Sequence, residues 1–364
     1  MGRLNVAVLR DVSDLLACPV CGRGFTLRPP ALRCANGHSF DIARQGYVNL
    51  LPGGARPGTA DTAEMVAARQ AFLTAGHYAP LAGAIADLAA ATVAAGPRPC
   101  VLDAGSGPGY YLAAVLDRLA GRPSGPASRP AEADRPAKTD RPAQTGARLE
   151  DGTGPVGLAM DISVRALRRA ARAHPAIGAV GWDTWRPFPV RDAVMSLVLD
   201  VFAPRNAAEF RRVLRDDGAL IVVTPAPGHL AELTGPAGLL AVDERKDERL
   251  AASLGAHFTL ARDQELSLGL RLTRAEAGAL AGMGPSARHA GPDGGGGRLA
   301  ARTEPIAVTA AFRIACYRPS GPRPPGPSRE PQAPVQERVP GRISGMRRGN
   351  RARNGVTTSR PRRP

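Results

Sequence analysis

Apolar and polar positions divide this chain into stretches that can build a core and stretches that cannot. PCVLDAG (99–105) reads as a short buried strand ending at a glycine turn, and YYLAAVLDRLA (110–120) has apolar residues at helical spacing. PVGLAMDIS (155–163) predicts a second strand, and VRALRRAARAH (164–174) a helix with an arginine-rich outer face. AIGAVGWD (176–183), AVMSLVLDVFAP (193–204) and GALIVVTPAP (218–227) predict three more strands, with NAAEFRRVLRDDG (206–218) a helix between the last two. Strand and helix in alternation predict an α/β fold with a parallel sheet covered on both faces. Right-handed crossovers then leave few topologies.

Two segments lack the apolar surface needed to offset chain ordering and are expected to be disordered. Residues 121–155 hold Leu149 as their one large apolar residue and repeat an Arg-Pro-Ala unit; residues 318–364 are rich in Pro, Gly and Arg. This divides the chain into an N-terminal module (1–52), a connecting helix and first part of the main domain (53–120), an insertion (121–155), the rest of the main domain (156–317) and a basic tail (318–364).

Charge changes the picture little. The net charge is +16, but Arg318 to the C-terminus carries twelve arginines against Glu330 and Glu337, leaving only +6 for the rest. Lysine is nearly absent (Lys138 and Lys246), which fits the coding bias of a GC-rich genome. The tail reads equally as compositional drift or as an RNA-attracting arm. No stretch approaches the roughly 18 apolar residues that span a membrane. The N-terminal residues are too charged for a signal peptide, so a cytoplasmic protein is expected.

Candidate chemistry begins with Cys18, Cys21, Cys34 and His38. A C-x-x-C knuckle turns both sulfurs to one side, and C-x-x-x-H, after twelve intervening residues, completes four positions. Three thiolates and an imidazole in a closed shell suit structural Zn²⁺. Gly22 and Gly37 sit where knuckle turns need a residue without a side chain. Cys100 and Cys316 lie in apolar strand-like runs and read as buried thiols, with no sign of a disulfide framework.

A second constellation is VLDAGSGPGYY: a strand, then Asp103, then a turn with Gly105, Gly107 and Gly109, then a helix. Glycines are required where a ligand lies against backbone. A dinucleotide site looks similar, but a carboxylate two residues before the first glycine would repel a diphosphate and welcome an ammonium. The pattern therefore favours S-adenosylmethionine over NAD. Asp161, at the end of the second predicted strand, is placed to accept both ribose hydroxyls. It lies 58 positions after Asp103, of which 34 fall in 121–154, leaving the 24 usual for a βαβ unit. Asp183, after the third strand, is a candidate for the adenine amino group.

Taken together, CPVCG, C-x-x-x-HSFDIARQGYVNLL, DTAEMVAARQAFLTAGHY (61–78), VLDAGSGPGYY, GLAMDIS and VVTPAPGHL (222–230) resemble one family, the bacterial 23S rRNA guanine-N1 methyltransferases, which include macrolide (tylosin) resistance members. These stretches run in order from Cys18 to His229; residues 231–317 match only loosely. The resemblance implies a Rossmann-like S-adenosylmethionine-dependent methyltransferase domain with a small zinc-binding module. It implies Cys18, Cys21, Cys34 and His38 as zinc ligands, and cofactor contacts from Tyr78, Gly107, Pro108 and His229. The family often carries an acid where this chain has Pro108, which leaves backbone contacts there but no acidic side chain.

The implied reaction is methylation of guanine N1 in a 23S rRNA hairpin loop, an in-line displacement that depends on alignment. The base after the fourth strand is unassigned: DVFAPRN offers only Asp200, which also reads as a strand end. Phe202, Trp182 and Trp185 are candidate stacking surfaces for an unstacked base, or else core. Arg44 and Tyr47, at the exit of the zinc module, mark it either as an RNA-docking surface or as a folding staple. Two other classes fit the same residues: a zinc-bearing methyltransferase for a small natural product, and a non-catalytic RNA-binding relative. The sequence leaves the oligomeric state open, a homodimer included.

Overall fold

The computed structural model describes residues 6–52, 61–94, 98–121, 154–234, 253–283 and 303–326. The expectations for the insertion, and for the tail beyond 326, fall outside these residues. No helix among the described residues is long and apolar enough to cross a membrane.

The N-terminal region holds α1 (Val6–Ser13) and a three-stranded antiparallel sheet of β1 (Phe25–Arg28), β2 (Ala31–Cys34) and β3 (Ser39–Asp41). β4 (Tyr47–Asn49), α2 (Ala63–Thr74) and α3 (Ala79–Thr92) follow, with Thr62 capping α2 through the Met65 N–H. The main domain then runs β5 (Cys100–Ala104), α4 (Tyr110–Leu119), β6 (Val156–Asp161), α5 (Val164–Ala173), β7 (Ile177–Gly181), β8 (Met195–Val201), α6 (Ala207–Val213) and β9 (Leu214–Pro225). After α7 (Ala231–Thr234) come β10 (Phe258–Leu272), α8 (Arg274–Gly282) and β11 (Ile306–Pro319).

The large sheet has the order β10-β11-β9-β8-β5-β6-β7-β4. β4 through β9 pair in parallel, as the strand–helix alternation predicts. β11 runs antiparallel to both β9 and β10, a hairpin that the parallel expectation does not include. Its period-two pattern shows in Leu266, Leu268, Leu270 and Leu272 facing Phe312, Ala310, Val308 and Ile306. The predicted helix 206–218 ends at Val213, because from Leu214 the chain already pairs with β8.

Alternate strand residues enter two cores, one on each face. One joins Val101, Ala159 and Ile221 to Phe72, Leu81, Leu112, Leu167 and Leu280 from the helices. The other joins Leu102, Leu158 and Leu220 to Leu9 and Val12 of α1, Phe210 of α6, and Cys18, Phe25 and Leu32 beside the first cysteine knuckle. Cys100 and Cys316 are buried thiols, as expected.

Two boundaries drawn from composition need correction. The span 1–52 is not a module with its own core: β4 pairs with β7, and the knuckle shares the second hydrophobic cluster with the sheet. Nor does the fold end at 317. β11 continues to Pro319, and the Arg318 guanidinium donates to the carbonyls of Thr92 (2.9 Å), Asp217 (3.0 Å) and Gly218 (3.1 Å). Arg323 donates to Asp216 at 2.8 Å. Composition misleads here because these arginines satisfy backbone carbonyls of α3 and β9 and a carboxylate instead of meeting water.

Candidate functional site

The sulfurs of Cys18, Cys21 and Cys34 and a ring nitrogen of His38 lie within 4.8 Å of one another. The Cys34 sulfur is 3.3 Å from His38 Nδ1, and the Cys18 sulfur 3.7 Å from the same atom. Each half is a tight turn: the Gly22 N–H bonds to the Cys18 carbonyl (2.8 Å) and the Gly37 N–H to that of Cys34 (3.0 Å). Both glycines hold left-handed φ, +74° and +83°, which explains their place in the pattern. Burial pushes the Cys18 thiol up to about 12, so its thiolate needs a cation beside it. Four donors of this kind in this space fit Zn²⁺.

The second site lies where the strand order reverses, between β5 and β8, at the carboxyl ends of the strands. Asp103, the last residue but one of β5, is almost fully buried, and Gly105, Gly107 and Gly109 turn the chain through φ of +82°, +54° and +80° into α4. A Cβ on Gly105 would sit 2.6 Å from the Ala203 Cβ, so the turn packs flat against the loop after β8. Pro108 is buried between the last two glycines. Asp161 ends β6 and binds the turn: Oδ2 accepts the Gly107 N–H at 2.8 Å and Oδ1 the Ser163 N–H at 2.7 Å.

Burial, with the nearby charges of Asp161 and Asp200, raises Asp103 to about 8. Burial also raises Asp161. Buried carboxylates gathered at one place form a site short of positive charge. In the turn itself the Ser106 hydroxyl is buried with no hydrogen-bond partner among the described residues. Both observations fit a ligand that brings a cation and a polar group, as the methionine part of S-adenosylmethionine does.

Aromatic rings wall the site, centred on Phe312 of β11. Its ring lies 5.0 Å from Tyr78, 5.0 Å from His229 and 5.7 Å from Phe202. Tyr78 stands buried at the start of α3, edge-on to Phe72 as well. His229 follows β9; its Nδ1 is 2.8 Å from the Ala311 carbonyl, which can only accept, so Nδ1 carries the proton. Phe202 is 42% exposed and holds a left-handed φ of +55°, a strained conformation for a bulky residue. Its ring lies 6.4 Å from that of Tyr111. Trp182, by contrast, is buried, and Trp185 is exposed on the turn after β7.

The structure thus brings together Asp103, the glycine turn, Asp161, Tyr78 and His229. Asp183 is used locally, its Oδ1 accepting the Trp185 N–H at 3.0 Å. Asp200 braces the loop after β8, accepting the Ala203 N–H at 3.3 Å and lying 3.6 Å from Arg205. Three participants escaped sequence reasoning. Phe312 comes from the loosely matching C-terminal part. Arg69, paired with Asp61 and donating to the Met283 carbonyl at 2.6 Å, lies 3.5 Å from where a Gly107 Cβ would stand. Both belong to DTAEMVAARQ, whose position beside the turn only the fold reveals.

Comparison with known proteins follows the same lines. Residues 16–56 match the family model of the RlmA N-terminal zinc ribbon. The chain is 48% identical, over 85% of its length and 99% of the relative's, to a candidate 23S rRNA (guanine-N(1)-)-methyltransferase of Micromonospora griseorubida. It is 42% identical, over 78% of its length and 89% of the relative's, to the 23S rRNA (guanine(748)-N(1))-methyltransferase of Streptomyces fradiae. A candidate 23S rRNA (guanine-N(1)-)-methyltransferase of Bacillus subtilis, YxjB, is 29% identical over 60% of this chain and 67% of its own.

Proposed function

This chain belongs to the 23S rRNA (guanine-N1-)-methyltransferases, and from that premise we propose which of its residues carry the reaction. It methylates guanine N1 of 23S rRNA with S-adenosylmethionine as donor, and its zinc ribbon holds Zn²⁺. S-adenosylmethionine supplies a methyl group on a positively charged sulfur; the residues of this chain hold and align what reacts.

In this proposal Asp103 faces the positive methionine portion, and the backbone of Gly105, Gly107 and Pro108 lies against the ligand. Asp161 accepts the ribose hydroxyls through the lone pairs not used by Gly107 and Ser163. Tyr78 and His229 close the pocket from the other side, both anchored on Phe312. The four donors Cys18, Cys21, Cys34 and His38 take the zinc.

Phe202 is the stacking surface for the target guanine, extruded from a hairpin loop. A strained, exposed ring one residue beyond β8, next to the cofactor turn, is otherwise a cost without return. Asp200 is a positioning residue: it fixes the loop that carries Phe202. Aligning N1, methyl and sulfur in a water-poor pocket supplies much of the rate.

The observation that carries the assignment is the meeting of Asp103, Asp161 and the glycine turn at the point where the strand order reverses. Incubating the protein with S-adenosylmethionine and unmodified 23S rRNA tests it. Nucleoside mass spectrometry should show 1-methylguanosine, and reverse transcription should stop at the modified base, since N1 lies on the pairing edge. Methylation of a small metabolite with the rRNA left unmodified would overturn the reading.

A further inference from the structure

We infer that the outer face of α5, together with Arg44 in the turn that rests on it, forms one phosphate-binding surface that docks the rRNA; this rests on the rRNA reading above. Eleven of the 24 arginines among the described residues lie within 4.0 Å of an acid. Arg69 pairs with Asp61, Arg98 with Asp11, Arg118 with Asp87, Arg212 with Glu209 and Asp192, and Arg313 with Asp263. Arg168, Arg169 and Arg172 of α5 have no acidic partner among the described residues, and nor does Arg44. Arg165 lies in the field of the exposed Glu64. Others without an acid, such as Arg10, Arg191, Arg262 and Arg271, stand apart; α5 alone collects four on ten residues that include no acid.

The fold brings Arg44 beside this helix. Ala166, Leu167, Ala170 and Ala171 are buried, so helical spacing sends Arg165, Arg168, Arg169 and Arg172 to the other face. Arg44 sits in the turn closed by the Gly46 N–H on the Ala43 carbonyl (2.8 Å). A Cβ on Gly46 would lie 3.9 Å from that of Ala171, so this turn rests against α5. At its other side α5 touches the cofactor turn: a Cβ on Gly109 would be 3.1 Å from Ala170. The basic surface therefore begins beside the reacting centre and continues to Arg44.

Like charges at i,i+3 and i,i+4 destabilise a helix, and α5 contains no acid to offset them. Phosphates would. An anionic membrane is the less fitting partner, because interfacial helices present apolar side chains beside the basic ones. The exposed large apolar residues, Trp185, Phe202 and Leu260, lie elsewhere.

The test compares full-length Arg168→Glu/Arg172→Glu with a control pair, Arg262→Glu/Arg271→Glu, on the edge strand β10. Binding of transcribed 23S rRNA is measured across salt concentrations, with S-adenosylmethionine affinity as the check on folding. The α5 pair should lose about ten-fold or more in RNA affinity at low salt and flatten the log–log salt slope by roughly 1.4, about 0.7 for each lost phosphate contact. The control should stay near wild type, and Arg168→Gln/Arg172→Gln should show a smaller loss in the same direction. Equal losses in both pairs, no loss in either, or a lost affinity for phosphatidylserine vesicles with RNA binding intact would overturn the inference. If wild-type protein binds rRNA through α5 yet forms no 1-methylguanosine, the surface stands and the catalytic reading falls; if it methylates equally well without the arginines, the reverse holds.

Discussion

Asp161 at the end of β6 holds Gly107, in the turn that follows β5, by a 2.8 Å hydrogen bond from the Gly107 N–H to Oδ2. One carboxylate thus sets the shape of the glycine turn before any ligand arrives, and in the proposed binding mode its remaining lone pairs take the ribose.

Replacing Asp161 should therefore injure two properties at once. Asp161→Ala should weaken S-adenosylmethionine binding ten-fold or more, and it should also cost about 1–3 kcal/mol of stability through the N–H groups left unpaired. Asp161→Asn, which keeps one acceptor, should fall between. Calorimetric titration and urea unfolding measure the two effects; wild-type affinity in Asp161→Ala would remove this residue from the ribose.

The pH dependence follows from Asp103. Its carboxyl is raised to about 8 by burial and by Asp161 and Asp200, so the folded protein holds a proton that the unfolded chain releases near pH 4. Stability without ligand should fall as pH rises from about 4 to about 8. A cation in the site favours the ionised form, so S-adenosylmethionine affinity should rise by up to about ten-fold per pH unit below 8 and level off above it. Proton release on binding, read by calorimetry in buffers of different ionisation heat, should be near one at pH 6.5 and vanish in Asp103→Asn.

Metal loss should be felt through the whole molecule. Cys18 and Cys34 belong to the same hydrophobic cluster as Leu102, Leu158 and Leu220. Cys34→Ala, or treatment with a strong chelator, should lower the melting temperature of one common transition instead of freeing a ribbon from an intact catalytic domain. A ribbon that melts alone, with cofactor binding unchanged, would show the two parts to be independent.

Phe202 and Phe312 should separate substrate handling from folding. Phe202→Ala should raise the KM for RNA and lower kcat while S-adenosylmethionine affinity and melting temperature hold, and Phe202→Trp should restore much of the rate. Phe312→Ala removes a fully buried ring and should cost about 3–5 kcal/mol, with cofactor binding lost as Tyr78 and His229 lose their support. Equal stability losses in both variants would place Phe202 in the core.

Local chemistry was legible in the sequence and long-range partnership was not. The knuckles, the strand before Asp103, the glycine turn and the distance to Asp161 each depend on neighbours within one βαβ unit or one turn, and all stand where the pattern puts them. β4 is only three residues long, too short for an alternating pattern to mark it; it becomes a strand by pairing with β7. The β10–β11 hairpin has an alternating pattern, but its two halves are joined by a long stretch that hides the pairing. Arg318 and Arg323 looked like tail because an arginine's role depends on the carbonyls and carboxylates it meets. Phe312, which supports half of the pocket, is one apolar residue among many until Tyr78, His229 and Phe202 are seen around it.

The pairing of β4 with β7 also sets an order of events as the chain is made. About 130 residues separate the two strands, so at roughly 5–20 residues per second the ribosome needs about 6–26 s to deliver the partner. For that interval the earliest part of the chain is finished but cannot join its sheet. A knuckle that captures zinc early would keep those residues compact until β7 emerges, which makes metal supply during synthesis a control on how much of the protein reaches its native state.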